Sequence, residues 1–594
     1  MFGGARCAWR PAQHQVKLLR LIRPRRCLQH RLFATIQEKP KYDESYDVVV
    51  VGSGAAGLSA AVTAAKKCGL KVLVTEKTGY FGGTSAYSGG ALWIPGHKHQ
   101  ESLGFGKDTR EDATTYLKSN LGDLYNEDRI QAYLKTGPEM VDWLEAETAV
   151  RFFGAPQPDY QHGLPGSAFG RVVLNQQFDG RRLGSMVKKI RYPMQGMSAF
   201  GTMQANMADF EMFKRPFSSF KNFGFVTRHL LRYASDYLRY GKGTVLCNGN
   251  ALVGSLVLSN MQQGTTFWNN AVVTQLVEEN GKASGVVVEK HGKPVRVQAK
   301  KGIVLASGGF GRSKELMSKY NTLSQNTAGP RGNTGDGMRL GQQLGGRLPP
   351  PLVDNALYSS ISEYHPKKGT LRRFPHAGFD RPKPGYIIVD TDGKRFANEA
   401  EPYQTFGQHM KEAKVTKAWL IGDHQAVRKY GMGVSLPWPY PMWHLTRTGY
   451  FKKGKTIKAL ADNLGLDAKS LASTVNRFNE HARQGKDPDF HRGEHPFDNS
   501  YGDFSHKPNV NLRPLEKGPF YAVALYPGNL STLYGLDTNK DAQVLNDKGN
   551  AIPGLYAAGA DQNSVMMGKY PGGGSCLGPA MVFGYRAAMH MASH

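Results

Sequence analysis

This sequence predicts an α/β fold built on a parallel, nucleotide-binding sheet, and three observations carry the prediction. A short β-branched run leads straight into a glycine-rich turn. An alanine-rich helical stretch and a second strand follow it. Strand-plus-glycine segments then return near residue 300 and again near the C-terminus.

Each element has its reason. Residues 47–51 are the first strand and Gly52-Ser53-Gly54-Ala55-Ala56-Gly57 is the turn. Residues 58–67 are the helix, closing at Cys68-Gly69, and residues 71–75 are a second strand ending at Glu76, nineteen residues beyond Gly57. Gly52 permits the tight turn, Gly54 lets backbone approach a pyrophosphate, and Gly57 lets helix pack on strand. Phosphates then rest on the helix N-terminus, and the acid closing strand two accepts ribose hydroxyls. Further along, Phe81-Gly-Gly-Thr-Ser85 and Ser88-Gly-Gly90 form a second Gly/Ser-rich loop. Residues 301–310 are a buried strand running into a glycine pair, and residues 554–561 a strand ending in a carboxylate. Tyr570-Pro-Gly-Gly-Gly574 and a helix to the C-terminus complete the pattern.

A nucleotide fold assembled from both chain ends around a long insertion resembles the FAD enzymes of the fumarate reductase and 3-ketosteroid dehydrogenase superfamily. Within it the sequence is most similar to 3-ketosteroid Δ1-dehydrogenases, from about Asp47 to Ala592. The motifs that carry the resemblance are Val-Gly-Ser-Gly-Ala-Ala-Gly57, Gly-Gly-Thr-Ser85 with Gly-Gly-Ala-Leu-Trp-Ile-Pro95, Thr-Gly-Asp-Gly337, Asp-Gly-Lys-Arg-Phe-Ala-Asn-Glu-Ala-Glu-Pro-Tyr403 and Tyr-Pro-Gly-Gly-Gly574. The resemblance implies a Rossmann-like FAD-binding domain of N- and C-terminal segments, interrupted by a smaller α+β catalytic (cap) domain. The expected divisions are a FAD-binding part over 44–345 with a helical excursion near 100–240, a catalytic domain over 346–526, and the returning FAD-binding part over 527–594.

The implied cofactor is non-covalent FAD, because residues 83–90 hold no histidine of the kind that tethers flavin in succinate dehydrogenases. Its expected contacts are Gly52, Ser53, Gly54, Ala55, Ala56, Gly57, Glu76, Lys77, Gly83, Thr84, Ser85, Ser88, Gly89, Gly90, Gly308 and Leu577. Asp336 and Asp561, at strand ends, are read as ribityl or structural ligands.

Desaturating a carbon–carbon bond beside a ketone needs donors for the enolate-like oxygen, a base for the α-proton, and flavin N5 to receive hydride from the β-carbon. Tyr570 and the Gly574 amide, at a helix start, supply donors that could converge on one oxygen. The Pro-Gly-Gly-Gly stretch beside Tyr570 has no evident packing purpose. By resemblance Tyr403 is the base, and a partner tyrosine eases its ionisation; Tyr160 matches best, although Gln161-His162 depart from the family pattern and His162 could share the role. Asn398-Glu399 could simply fix the domain interface. Two other readings stand beside the preferred 3-ketosteroid desaturation. One is a fumarate-reductase-like enzyme drawing on Arg372, Arg373 and His376, and the other is a non-catalytic FAD electron carrier.

Composition bounds the rest. The chain has 594 residues and a net charge of +28, of which eight units fall between Met1 and Gln37, where there is no acid. That Arg-rich stretch reads as a mitochondrial presequence over residues 1–43, otherwise as a disordered tail of a cytoplasmic protein. No apolar run approaches the roughly 18 residues of a membrane span, so no integral membrane association is expected. Five cysteines without C-x-x-C spacing predict neither disulfides nor a metal site. Phenylalanines from Phe210 to Phe225 precede a basic stretch, residues 228–242. It is read as a surface excursion with a packed aromatic face, ahead of a membrane-surface or partner contact. The expected partners are a small hydrophobic, steroid-like ketone and an unidentified electron acceptor, and no nucleic acid.

Overall fold

The structure, a computed structural model, describes residues 41–594 apart from residues 195, 321–325 and 353. The expected presequence lies, up to residue 40, outside the described residues.

Strands Ala551–Ala557, Lys293–Leu305, Glu44–Val51, Val72–Glu76 and Thr266–Asn269 lie side by side, all parallel. Register fixes Val51 against Leu305 and Leu305 against Ala557, so the first and last portions of the chain meet in one sheet. Val48 and Val50 face one apolar core while Val49 and Val51 face the other. An uninterrupted valine run is what a parallel strand covered on both faces requires. Helix Ala55–Val62 follows the first strand and packs on the terminal helix Leu577–Ser593. The chain exceeds the expected first helix at its N-terminal end, because the glycine turn itself begins the helix. Its last turn, Thr63–Lys67, is a π-helix.

A second sheet of six strands is antiparallel throughout, in the order Arg372–Pro375, Ala356–Tyr364, Phe520–Thr532, Ala418–Asp423 and Tyr386–Val389, with Lys452–Gly454 also on Phe520–Thr532. Alternation along its strands is clean. Ile387, Val389, Trp419 and Ile421 pack on helices Ile457–Leu464 and Ala468–Arg483, whereas Ile388 and Leu420 pack with helix Tyr403–Glu412. The division expected between residues 526 and 527 falls inside strand Phe520–Thr532, which runs unbroken from this sheet toward the first. Pro527 is accommodated opposite Ser360 in the ladder.

The aromatic excursion departs from expectation. Its helix spans Phe220–Tyr240, starting eight residues before the basic stretch, and Asp236 is its one fully buried residue among those described. Phe213 and Phe225 do pack, against each other and His229. Phe217, Phe220 and Phe223 stand in solvent.

Candidate active site

The nucleotide end assembles around the first glycine turn. Gly52 has φ +111°, and a Cβ there would lie 2.2 Å from Ala306 O, so only glycine lets the two strands' ends meet. Gly54 differs: a Cβ there would meet only Ser85 Oγ, at 3.5 Å. It is the N-cap of helix Ala55–Val62 and provides no side-chain acceptor to the helix's first amides. Space and N–H donors in front of the helix are therefore kept for an anion. The second loop closes over them, with Ala55 N donating to Ser85 Oγ (2.9 Å) and a Gly83 Cβ placed 3.7 Å from Gly54 Cα.

A cleft beside this turn is lined by Gly52, Glu76, Lys77, Gly83, Asn333 and Asp336. Glu76 accepts from Ser53 Oγ at 2.5 Å and from Thr78 N at 2.9 Å. Lys77 Nζ pairs with Asp336 at 2.5 Å, and Asn333 donates to Thr84 Oγ1 at 2.8 Å. This donor-rich, glycine-walled cradle fits a dinucleotide.

Other expected contacts sit elsewhere. Ala55 and Ala56 are buried in the helix, and Leu577 packs on the central core. Gly90 backs onto helix Asn248–Gln262, where a Cβ would lie 2.6 Å from Asn248 C; Ser88 bonds Ser85 O, and Gly89 has open space around it. Gly308 lies by Asn333. Asp561 is fully buried and accepts from the amides of Ser307 and Gly309, so it ties two strand ends together in the structural rather than the ribityl role. Cleft residues Asn333 and Arg191 carried no motif and were missed, and Ser307 was not singled out within the 301–310 segment.

The chemical end is a cluster of three tyrosines. Ring centroids are 5.5 Å apart for Tyr160–Tyr570 and for Tyr403–Tyr570, and 5.8 Å for Tyr160–Tyr403. Tyr570 Oη accepts from Gly574 N at 3.3 Å, so hydroxyl and amide are immediate neighbours and the amide proton rests on the hydroxyl oxygen. The glycines do have a packing purpose, contrary to the sequence reading. A Cβ on Gly572 would lie 2.3 Å from the Trp93 ring, and one on Gly574 (φ +101°) would lie 2.5 Å from Ala91 O. Tyr160 N donates to Pro571 O at 2.8 Å, which fastens the Tyr160 loop directly to the Tyr570 turn. Buried Asp159 anchors that loop through Arg171 (2.7 Å) and Trp93 Nε1 (2.8 Å). His162 turns away, stacked edge-on against Phe169, and does not join the cluster.

Burial, followed by the neighbouring phenols, raises the pKa of Tyr403 well above the tyrosine value. Burial likewise raises Tyr160, although its hydrogen bond to Tyr403 and the charge of Arg381 work the other way. Tyr570 is raised by burial too. All three are phenols at neutral pH in the resting protein.

Around the cluster stand Leu357, Phe497, Tyr501, Leu530, Leu533 and Cys576. The Phe497 ring lies 4.6 Å from that of Tyr160. None of these residues was singled out from sequence; the only signal is the i, i+4 spacing of Phe497 and Tyr501, common to many helices. Asn398 donates to Asp498, in helix Pro496–Ser500, at 2.8 Å. Glu399 is fully buried between Arg395 (2.7 Å) and Arg492 (3.1 Å). His376 is also buried, with Asp380 and Ser362 holding its two ring nitrogens, and Arg373 pairs with Glu363 at 3.0 Å.

Residues 47–577 match the family described as the FAD binding domain. The chain belongs to that family. FAD is its cofactor, and the protein is an FAD-dependent oxidoreductase acting on CH–CH bonds. It is 40% identical to 4-oxocyclohex-2-ene-1-carboxylate 5-dehydrogenase of Sinomonas cyclohexanicum, covering 92% of this chain and 93% of that one. It is 35% identical to 3-oxosteroid 1-dehydrogenase of Mycobacterium tuberculosis, covering 92% and 98%. Among solved structures, 3-ketosteroid Δ1-dehydrogenase of Sterolibacterium denitrificans, in complex with 1,4-androstadiene-3,17-dione, superposes with a TM-score of 0.84 at 34% identity, covering 93% of this chain and 100% of that one.

Proposed function

We propose that this oxidoreductase desaturates the 1,2 bond of 3-ketosteroids, with the lobe of the antiparallel sheet serving as its catalytic domain. The observation that carries the reading is the adjacency of Tyr570 Oη and Gly574 N, 3.3 Å apart, beside Tyr403 and Tyr160; a ketone oxygen placed between them would take over the amide proton that Tyr570 now accepts. Leu357, Leu530, Leu533, Phe497 and Tyr501 wall this region with apolar surface suited to a flat ring system.

The Gly52–Gly57 turn, Glu76, Lys77 and Asp336 would hold the cofactor. FAD, when bound, supplies the two-electron acceptor for the hydride that leaves the β-carbon. The chain's own residues handle the oxygen and the proton. Tyr570 and the Gly574 amide donate to the ketone oxygen and stabilise the charge that grows there as the α-proton departs. Tyr403 takes that proton, so one proton must first have left the Tyr403–Tyr160 pair. Burial makes that loss costly, and the Arg381 charge acting on Tyr160 offsets part of the cost. The active form is therefore the singly protonated pair, whose share grows with pH. The fumarate-reductase-like reading fares worse, because His376 and Arg373 already hold other partners.

The test is anaerobic mixing of the FAD-loaded protein with 4-androstene-3,17-dione while flavin absorbance is followed. Bleaching together with formation of 1,4-androstadiene-3,17-dione supports the proposal. Bleaching by 4-oxocyclohex-2-ene-1-carboxylate but not by the steroid would overturn the substrate assignment while keeping the chemistry.

A further inference from the structure

Helix Phe220–Tyr240 is amphipathic the wrong way round for a helix that packs on a protein core. Its inward side carries Asp236, fully buried, which accepts from Arg181 Nε at 2.8 Å and Thr244 Oγ1 at 2.6 Å. Arg232 on the same side reaches Asp179 at 2.6 Å. The outward side, with the turn before it, carries Phe217, Phe220, Phe223, Leu231, Tyr237 and Leu238, which are 50% to 97% exposed. Phe217 and Phe223 touch mainly each other, with ring centroids 6.1 Å apart. The patch continues onto the neighbouring loop, where Phe200, 72% exposed, lies 6.2 Å from the Tyr233 ring. At about 1.5 Å per residue the helix is roughly 30 Å long, so the apolar face is an extended strip rather than isolated side chains.

Positive charge predominates around this strip, with Asp179 and Glu211 as exposed acids nearby. Between residues 214 and 242 there are seven Lys or Arg residues and a single acid, the buried Asp236. Arg215, Lys221, Arg228 and Arg239 are exposed beside the apolar residues. A protein partner would have to cover the leucines and aromatics while answering a predominantly positive rim. An anionic bilayer does both at once, with acyl chains under the strip and acidic headgroups beside the cations. No described helix is long and apolar enough to cross a membrane, and the polar inward face of this one suits a helix lying in the interface.

We propose that helix Phe220–Tyr240 and the Phe200 loop dock the enzyme onto the surface of an anionic lipid bilayer, with Phe217, Phe220, Phe223, Leu231 and Leu238 inserted among the acyl chains. An enzyme held there would meet apolar ketones where they concentrate. The strip's role does not depend on the identity of the substrate.

The test is flotation of the full-length, FAD-loaded protein with vesicles of phosphatidylcholine alone or with about one third phosphatidylglycerol. Binding to the anionic vesicles is expected. It should fall about fivefold for each of Arg228 and Arg239 changed to Gln, and tenfold or more for Leu231→Glu with Leu238→Glu. The flavin spectrum should be unchanged in both variants, because these side chains face solvent. Failure to float with anionic vesicles overturns the proposal, as does flotation indifferent to both sets of substitutions. A dimer in solution that the glutamate variant dissociates, with no vesicle binding, assigns the strip to a second copy of the chain and overturns it as well.

Discussion

Tyr570→Phe isolates one donor of the oxyanion pair. The substitution removes a hydroxyl but keeps the ring, which is 8% exposed and held 5.5 Å from both Tyr160 and Tyr403. Cofactor contacts lie on other segments, so the flavin spectrum and thermal stability should match the parent. What is lost is one of two donors at the ketone oxygen, with Gly574 N left to act alone. Removing one preorganised oxyanion donor costs about 10²–10³ in rate, or about 2.7–4 kcal/mol of barrier. The matching experiment on Gly574 is closed, because any Cβ there strikes Ala91 backbone. The assay is anaerobic stopped-flow, reading flavin bleaching at saturating 4-androstene-3,17-dione in parent and variant. A variant rate within about threefold of the parent, under 1 kcal/mol, refutes the oxyanion role.

Further outcomes are expected. Gly54→Ala should fold but purify with little flavin, since its Cβ intrudes only on the space before the helix, whereas Gly52→Ala should fail to fold; the flavin-to-protein absorbance ratio and yield check this. Turnover should rise with pH above neutrality as the Tyr403–Tyr160 pair loses a proton, and Tyr403→Phe should lower it by about 10²–10⁴ and flatten the rise. Stability runs the opposite way: these phenols ionise at about pH 10 in the unfolded chain but later in the folded one, so melting temperature falls above that pH. Arg395→Met should destabilise by about 3–5 kcal/mol in denaturant titration, because it leaves Glu399 and Asp487 buried with less compensation. Burial opposes ionisation of Glu399, yet Arg395 and Arg492 outweigh it and hold the carboxyl at about 2. The stability this gives is present above roughly pH 4.3 and is lost as pH falls from there toward 2.

Local chemistry was the legible part. Valines 48–51 and the glycines after them form a strand and turn wherever they occur in a parallel sheet, so the nucleotide site could be read without tertiary information. Tyr160, Tyr403 and Tyr570 were reachable only through family resemblance, because more than 400 residues separate the first from the last and only the fold brings them within 6 Å. Leu357, Phe497 and Leu533 had no such guide: an apolar side chain lining a cleft has the same pattern as one filling a core. For Asp561 the sequence left a ribityl and a structural role open, since a strand-end carboxylate can face a ligand or backbone amides, and the amides of Ser307 and Gly309 are its partners. The exposed face of helix Phe220–Tyr240 was read as packed because solubility makes packing the default for phenylalanine.

Phe497 lies in, and Tyr501 directly follows, a five-residue helix that is fastened through Asp498, to Asn398 at 2.8 Å and Gly493 N at 3.0 Å. The three reactive tyrosines belong to other segments altogether. Mutation can therefore resize the wall at Tyr501 with its effect on the tyrosine cluster only indirect, whereas a change at Phe497 also removes the ring packed on Tyr160. The wall at Tyr501 and the tyrosine cluster thus come from separate segments of the chain, so one can vary while the other is kept.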